Sequence, residues 1–259
     1  MTVREAIADA ERRLAAARVD SPRVDAELLV AHVLGVSRTQ LYADLDREVE
    51  GLEPLLVRRE NREPLAYVLG EWGFRRLTLK ADARALVPRP ETEIVVERAL
   101  ALLVGTPAPR VLDVGVGSGA IALALKDERP DARVTGVDES EDALALAREN
   151  AECLGLDVEL RAGGLESAQD GWDLVVSNPP YVDTLEGLQP ELRYEPEVAL
   201  VGSGMHERLA EGARTRAIVL EVGAGQADRV AAALETFAYK KVRITRDLSG
   251  IARVVEGER

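Results

Sequence analysis

The chain has 259 residues, with 33 Lys and Arg against 46 Asp and Glu, a formal net charge of −13, and 46% apolar residues. That balance fits a folded protein with a sizeable core and excludes a disordered chain, while the acidity argues against non-specific nucleic-acid binding. One cysteine, Cys153, and two histidines, His32 and His206, exclude an intrachain disulfide and a Cys/His zinc cage, so no metal is expected. No run approaches the roughly 18 apolar residues of a membrane helix. The first residues are charged where a signal peptide needs an apolar stretch, so a cytoplasmic location is expected.

In chain order, residues 1–70 read as short helices. Thr2-Val3-Arg4-Glu5 has capping-box spacing, with Ile7, Ala10 and Leu14 following at helical period. Ser21-Pro22 opens a second helix that stops at Gly35, and Ser37-Arg38-Thr39-Gln40 is another capping box. Glu53-Pro54 opens a further helix through Leu56 and Arg59. Residues 71–90 change character. Trp72, Phe74, Leu77 and Leu79 alternate as in a hairpin, and Pro88 and Pro90 fix a rigid turn before a helix that Thr92 is placed to cap.

From residue 110 strands and helices alternate. Strands are predicted at Arg110–Val114, Arg133–Val137, Val158–Arg161, Asp173–Val176, Ile218–Val222, Val242–Thr245 and Ile251–Val255. Helices are predicted at Ile121–Lys126, after Ser140 as far as Gly155, and over Ala227–Leu234. This is an α/β pattern with a mostly parallel sheet. The domains expected are 1–70, a hairpin linker at 71–90, and 91–259.

Three segments carry chemistry. Gly115-Val116-Gly117-Ser118-Gly119 lies between a strand and a helix, where glycines let the backbone approach a ligand and helix amides face it. Asp138 ends the next strand, where a carboxylate accepts both ribose hydroxyls of a nucleoside ligand. Asn178-Pro179-Pro180-Tyr181 follows a strand as a rigid loop suited to a planar –NH2 group. Asn178 Oδ1 and the Pro179 carbonyl each accept one N–H bond, the nitrogen lone pair turns to an electrophile, and Tyr181 stacks on the plane.

Together these features resemble class I S-adenosylmethionine-dependent methyltransferases acting on a planar nitrogen, a Rossmann-like fold. The Asn-Pro-Pro-Tyr loop is shared by adenine-N6 DNA methyltransferases and protein glutamine-N5 methyltransferases. Arg62-Glu63-Pro64-Leu65-Ala66-Tyr67-Val68-Leu69-Gly70, Phe74 and Pro88-Arg89-Pro90-Glu91-Thr92-Glu93 resemble the peptide chain release factor glutamine methyltransferase family. So do Ser21–Gly35, Gly115–Leu125, Tyr194-Glu195-Pro196 and Ala199-Leu200. The resemblance covers almost the whole chain. It implies S-adenosylmethionine held by Gly115–Gly119, Asp138, Leu165 and Asn178, and a substrate glutamine in the Gly-Gly-Gln loop of bacterial release factors, bound at Asn178, Pro179, Pro180 and Tyr181. It also implies that the helical domain docks the release factor. No direct nucleic-acid or membrane partner and a monomeric chain are expected.

The sequence departs from the family in two places. Gly163-Gly164-Leu165 stands where the family carries an acidic or aromatic residue beside the adenine, so Leu165 is assigned an apolar contact. Val201–Arg216 is shorter than the family's loop and helix and lacks its Pro-Gly-Gly turn. His206, within that segment, reads as a surface residue, and Cys153 as packing within a helix. The other readings are an adenine-N6 methyltransferase acting on nucleic acid and a binding protein that keeps the fold without catalysis. A labelled-cofactor assay with release factor or DNA separates them.

Overall fold

Local chemistry places the first helices. Thr2 accepts from the Glu5 N–H, and the Glu5 carboxylate accepts from the Thr2 N–H at 2.9 Å, so a full capping box opens α1 (Val3–Ala16). Pro22 sits in the first turn of α2 (Pro22–Leu34), which ends on left-handed Gly35. The Ser37–Gln40 capping box forms reciprocally but opens only one 3-10 turn, Gln40–Ala43. α3 (Glu53–Glu60) and α4 (Leu65–Leu69) follow.

The computed structural model describes residues 1–182, 184 and 187–259. They divide into two compact units. The helical unit holds Met1–Glu71 together with Leu188–Tyr194, a segment from the second half of the chain. That segment is tied in by side chains. Glu191 accepts from Arg59 at 2.9 Å and from Arg62 at 2.7 Å, and the Tyr194 hydroxyl donates to the Asn61 carbonyl at 2.8 Å.

The second unit, Trp72–Gly187 and Glu195–Arg259, carries the sheet. After the hairpin β1 (Glu71–Phe74) and β2 (Leu77–Lys80) come α5 (Thr92–Leu102), β3 (Arg110–Val114), α6 (Ala120–Glu128), β4 (Arg133–Asp138), α7 (Glu141–Leu154), β5 (Glu159–Ala162) and β6 (Trp172–Ser177). Then follow α8 (Glu197–Leu200), α9 (Met205–Gly212), β7 (Thr215–Glu221), α10 (Ala227–Thr236), β8 (Lys240–Arg246) and β9 (Ala252–Glu258). The seven-stranded order is β5-β4-β3-β6-β7-β9-β8. The first five strands are parallel, whereas β9 runs antiparallel to both β7 and β8.

The period-2 geometry of a strand explains both cores. Val111, Leu174, Val176 and Val219 face one layer with α5, α6 and α7, while Leu112, Val175, Ile218 and Leu220 face another with α9 and α10. Strands apolar on both faces are what a sheet covered on both sides requires. Among the described residues, no helix is long and apolar enough to cross a membrane.

Two residues differ from their sequence readings. His206 is buried, because its ring Nε2 meets the Glu221 carbonyl at 2.7 Å. Cys153 is exposed, because it falls on the solvent face of α7 while Leu144, Ala147 and Ala151 face inward.

Candidate active site

A cavity of about 530 Å3 opens at the carboxyl ends of β3, β4, β5 and β6. Its size is that of small-molecule sites, and parallel α/β sheets bind ligands at this end. Val114–Ser118, Asp138, Gly163–Leu165 and Asn178–Pro180 all line it. The three segments singled out by sequence therefore meet in one place. Gly119 and Tyr181 do not line it.

The glycine loop is held from below. The N–H groups of Gly115 and Val116 both donate to the Val137 carbonyl at 2.9 Å, and that of Gly117 donates to Asp138 Oδ2 at 2.9 Å. Asp138 Oδ1 accepts from the Ser140 N–H at 2.9 Å. The carboxylate thus ties the loop to the start of α7. Each of its oxygens has a further lone pair for a ligand hydroxyl. The expected role of the loop amides changes accordingly, since these three already have protein partners. What the loop offers is close approach. Gly117 has φ +54° and, among the described residues, only Ala85 Cβ near the place of a Cβ, at 4.0 Å. Gly119 is glycine for another reason: φ is +89°, and a Cβ would lie 2.9 Å from Leu123 Cδ1.

Asp113, at the base of the loop, is enclosed. Its Oδ2 accepts from the Ala122 N–H at 3.1 Å, and its Oδ1 has no partner among the described residues. Burial pushes its carboxyl up to about 8, opposed by the Ala122 bond and reinforced by nearby Asp138.

Asn178 follows β6 directly. Its Nδ2 donates to Thr92 Oγ1 at 3.4 Å, and no described group donates to its Oδ1. Thr92 also lines the cavity. It is the first residue of α5, one position past the N-cap Glu91 and so not the cap its sequence position suggested, and its hydroxyl oxygen faces the Asn178 amide instead. The Tyr181 ring was expected to stack on the substrate. It packs instead where a Cβ on Gly223 would stand, 2.9 Å from its Cδ2, and burial raises its hydroxyl to about 12. The Tyr181 carbonyl accepts from Gln226 Nε2 at 2.9 Å. In this arrangement the tyrosine anchors the loop.

Other lining residues carried no site role in the sequence: Arg84–Arg89, Glu139, Pro196, Val198 and Met205. The Pro-Arg-Pro-Glu-Thr-Glu segment was the available signal for the first group. Asn150 was also missed. It is buried on the apolar face of α7, accepts from the Lys80 N–H at 2.7 Å and donates to the Ser118 carbonyl at 3.0 Å. An asparagine inside the stripe Leu144, Ala147, Ala151 was its signal.

Residues 5–70 match the PrmC N-terminal domain family, and residues 94–192 match the methyltransferase small domain family. The chain is 42% identical over 281 aligned positions to the release factor glutamine methyltransferase of Deinococcus radiodurans, covering 100% of this chain and 99% of that one. It is 38% identical to the protein of the same name from Escherichia coli K12, over 92% of each chain. Among solved structures, the methyltransferase domain of METTL16 shares the fold, with a TM-score of 0.53 at 16% identity, covering 70% of this chain and 87% of that one.

Proposed function

The chain belongs to the release factor glutamine methyltransferase family, and we propose that it transfers a methyl group from S-adenosylmethionine to the side-chain nitrogen, N5, of the glutamine in the Gly-Gly-Gln motif of a bacterial release factor. The observation that carries this reading is Asn178-Pro179-Pro180 in the wall of the same cavity that holds the glycine loop and Asp138.

The cavity fits the cofactor. Gly117 leaves the loop surface without a side chain, and Asp138 presents a carboxylate beside it. Asp138 and Gly115–Ser118 would hold the nucleoside part, with Leu165 as an apolar wall. When bound, S-adenosylmethionine supplies an electrophilic methyl on a sulfonium.

The protein's part is orientation. An amide nitrogen is a poor nucleophile because its lone pair is delocalised. Asn178 Oδ1 accepts one substrate N–H and the Pro179 carbonyl the other. Both protons then lie toward the loop, and the lone pair faces the methyl. The two prolines keep the acceptors in place without cost at each turnover. The helical unit docks the release factor, which the enzyme meets in the cytoplasm.

The test is incubation with labelled cofactor and a release factor, the same factor with its glutamine replaced by Ala, or DNA. Label on the first alone supports the reading. Label on DNA, or on the Ala factor, overturns it.

A further inference from the structure

The Asn-Pro-Pro-Tyr loop is gripped just past its end. Val182 and Val201 pair as a parallel bridge. The Val182 N–H donates to the Leu200 carbonyl at 3.0 Å, and the Gly202 N–H donates to the Val182 carbonyl at 3.1 Å. The pairing segment continues from α8, whose Val198 and Ala199 line the cavity together with Pro179 and Pro180.

Gly202 meets the loop at close range. A Cβ on it would lie 2.9 Å from Pro180 Cγ, 3.1 Å from Pro180 Cβ and 3.1 Å from the Pro180 carbonyl oxygen. Ordinary contact between carbons is about 3.5–4.0 Å, so a side chain has no room there. The backbone of Gly202 does not itself ask for glycine, because its φ lies outside the left-handed region. The missing side chain is space that Pro180 occupies.

Neither side can give way freely. Two hydrogen bonds hold Leu200 and Gly202 to Val182. Beyond Pro180, the Tyr181 carbonyl accepts from Gln226 Nε2 at 2.9 Å, and the Tyr181 ring fills the place of a Cβ on Gly223. The pyrrolidine ring fixes φ at Pro180 and restricts the backbone of Pro179 before it. A push on that ring from position 202 is therefore passed to the Pro179 carbonyl and to Asn178 beside it.

We propose that Gly202 is a positioning residue: by lacking a side chain it lets Pro180 seat against the Val182–Val201 bridge, and that seat sets where the Pro179 carbonyl and Asn178 meet the substrate nitrogen. This rests on the reading of those two groups as the acceptors for the substrate amide. It also gives a role to the start of residues 201–216, the segment whose sequence departs from the family.

The experiment compares Gly202→Ala, Pro180→Ala and the double variant with the wild type. It measures kcat and KM for methyl transfer to a release factor, cofactor affinity by calorimetry, and folding by circular dichroism. Gly202→Ala should lower kcat by about 10- to 100-fold, as a misplacement of about 1 Å at the reacting groups does. KM and cofactor affinity should stay within a fewfold, because Gly115–Ser118 and Asp138 stand at the ends of other strands. Gly212→Ala, at the end of α9, adds a methyl whose nearest neighbour among the described residues is Gln169 Nε2 at 3.9 Å, and should transfer at the wild-type rate. Pro180→Ala removes the ring carbon that the methyl at 202 would strike. In that background Gly202→Ala should cost at least about fivefold less in kcat than it does alone, because residues in contact are coupled. A folded Gly202→Ala protein with the wild-type kcat overturns the proposal. So does a loss of cofactor affinity as large as the loss in kcat, a Gly212→Ala protein as slow as Gly202→Ala, or losses that simply multiply in the double variant. If Gly202→Ala does not fold, Pro180→Ala must restore folding, and failure to restore it overturns the proposal as well. The wild type is the separate check on the functional reading: if it labels no glutamine, that reading falls and takes this one with it.

Discussion

The Glu195 carboxylate accepts the backbone N–H of Val87 at 3.0 Å, across 108 positions of sequence. The same carboxylate pairs with Arg89, and its side chain is fully enclosed. Val87 and Arg89 line the cavity from before α5, and Pro196 and Ala199 line it from beyond the Asn-Pro-Pro-Tyr loop. One carboxylate thus holds two walls together. Burial raises its pKa, and Arg89 and the Val87 N–H oppose that shift.

Glu195→Ala should therefore leave a buried N–H unpaired, at a cost of about 2 kcal/mol. For a chain of this size that is a drop in Tm of roughly 4–8 °C. Glu195→Gln keeps an acceptor for Val87 and should lose less. Thermal unfolding of the two variants ranks them, and equal losses would show that the charge on Arg89, rather than the N–H bond, matters.

Asn178→Ala removes the proposed acceptor at the reacting nitrogen. The loss of one oriented bond of about 3 kcal/mol corresponds to roughly 100-fold in kcat. Cofactor affinity should stay within a fewfold, because Gly115–Ser118 and Asp138 are untouched. Calorimetry and single-turnover rates check the two separately. An unchanged rate would reduce the loop to a structural turn.

Two glycines of one motif should fail in different ways. Gly117→Ala places its methyl near Ala85 at 4.0 Å, in the cavity, with a strain of about 1–2 kcal/mol from φ +54°. It should fold and bind cofactor poorly. Gly119→Ala adds a clash with Leu123 at 2.9 Å to a φ of +89°. It should lose more Tm than Gly117→Ala does. The opposite order would contradict the division of roles.

Asp113 makes stability depend on pH. Its carboxyl lies near 8 in the folded chain against an ordinary 3.8. Between those values the folded state holds a proton that the unfolded state has released. Stability therefore falls as pH rises from about 4 to 8 and levels off above that. Asp113→Asn is neutral throughout and escapes this loss. Its Tm relative to wild type should rise between pH 5 and pH 8, and a difference independent of pH would mean that the buried carboxyl is already ionised.

A chain beginning at Trp72 should not behave as a clean catalytic unit. It would strip residues 188–194 of Arg59, Arg62 and Asn61, which hold Glu191 and Tyr194. Trypsin should cut it after Arg193, an exposed position, much faster than it cuts the full chain. Equal cleavage rates would show that those bonds do not restrain the segment.

Much of the architecture follows from short-range patterns. Arg110–Val114 and Trp172–Ser177 are apolar on successive residues, so they form strands covered on both faces wherever they come to lie. Ser140 and Gly155 bound α7 by capping alone. The glycine loop, Asp138 and the Asn-Pro-Pro-Tyr loop were legible because each stands at the carboxyl end of a readable strand, and a parallel sheet brings those ends together. The partners of single side chains were not legible. Thr92 has the sequence position of a cap, but its hydroxyl oxygen receives the amide of Asn178, 86 positions away. His206 looked exposed until Glu221 came to lie beneath it, and Tyr181 looked free to stack until Gly223 left room for its ring. Residues 188–194 read as part of the catalytic half, yet Glu191 belongs to the arginines of the helical unit. Periodicity and capping act over one or two turns of chain, and the sequence contains them outright. Hydrogen bonds and ion pairs between residues about a hundred positions apart depend on which strand ends up beside which, and only the folded sheet decides that.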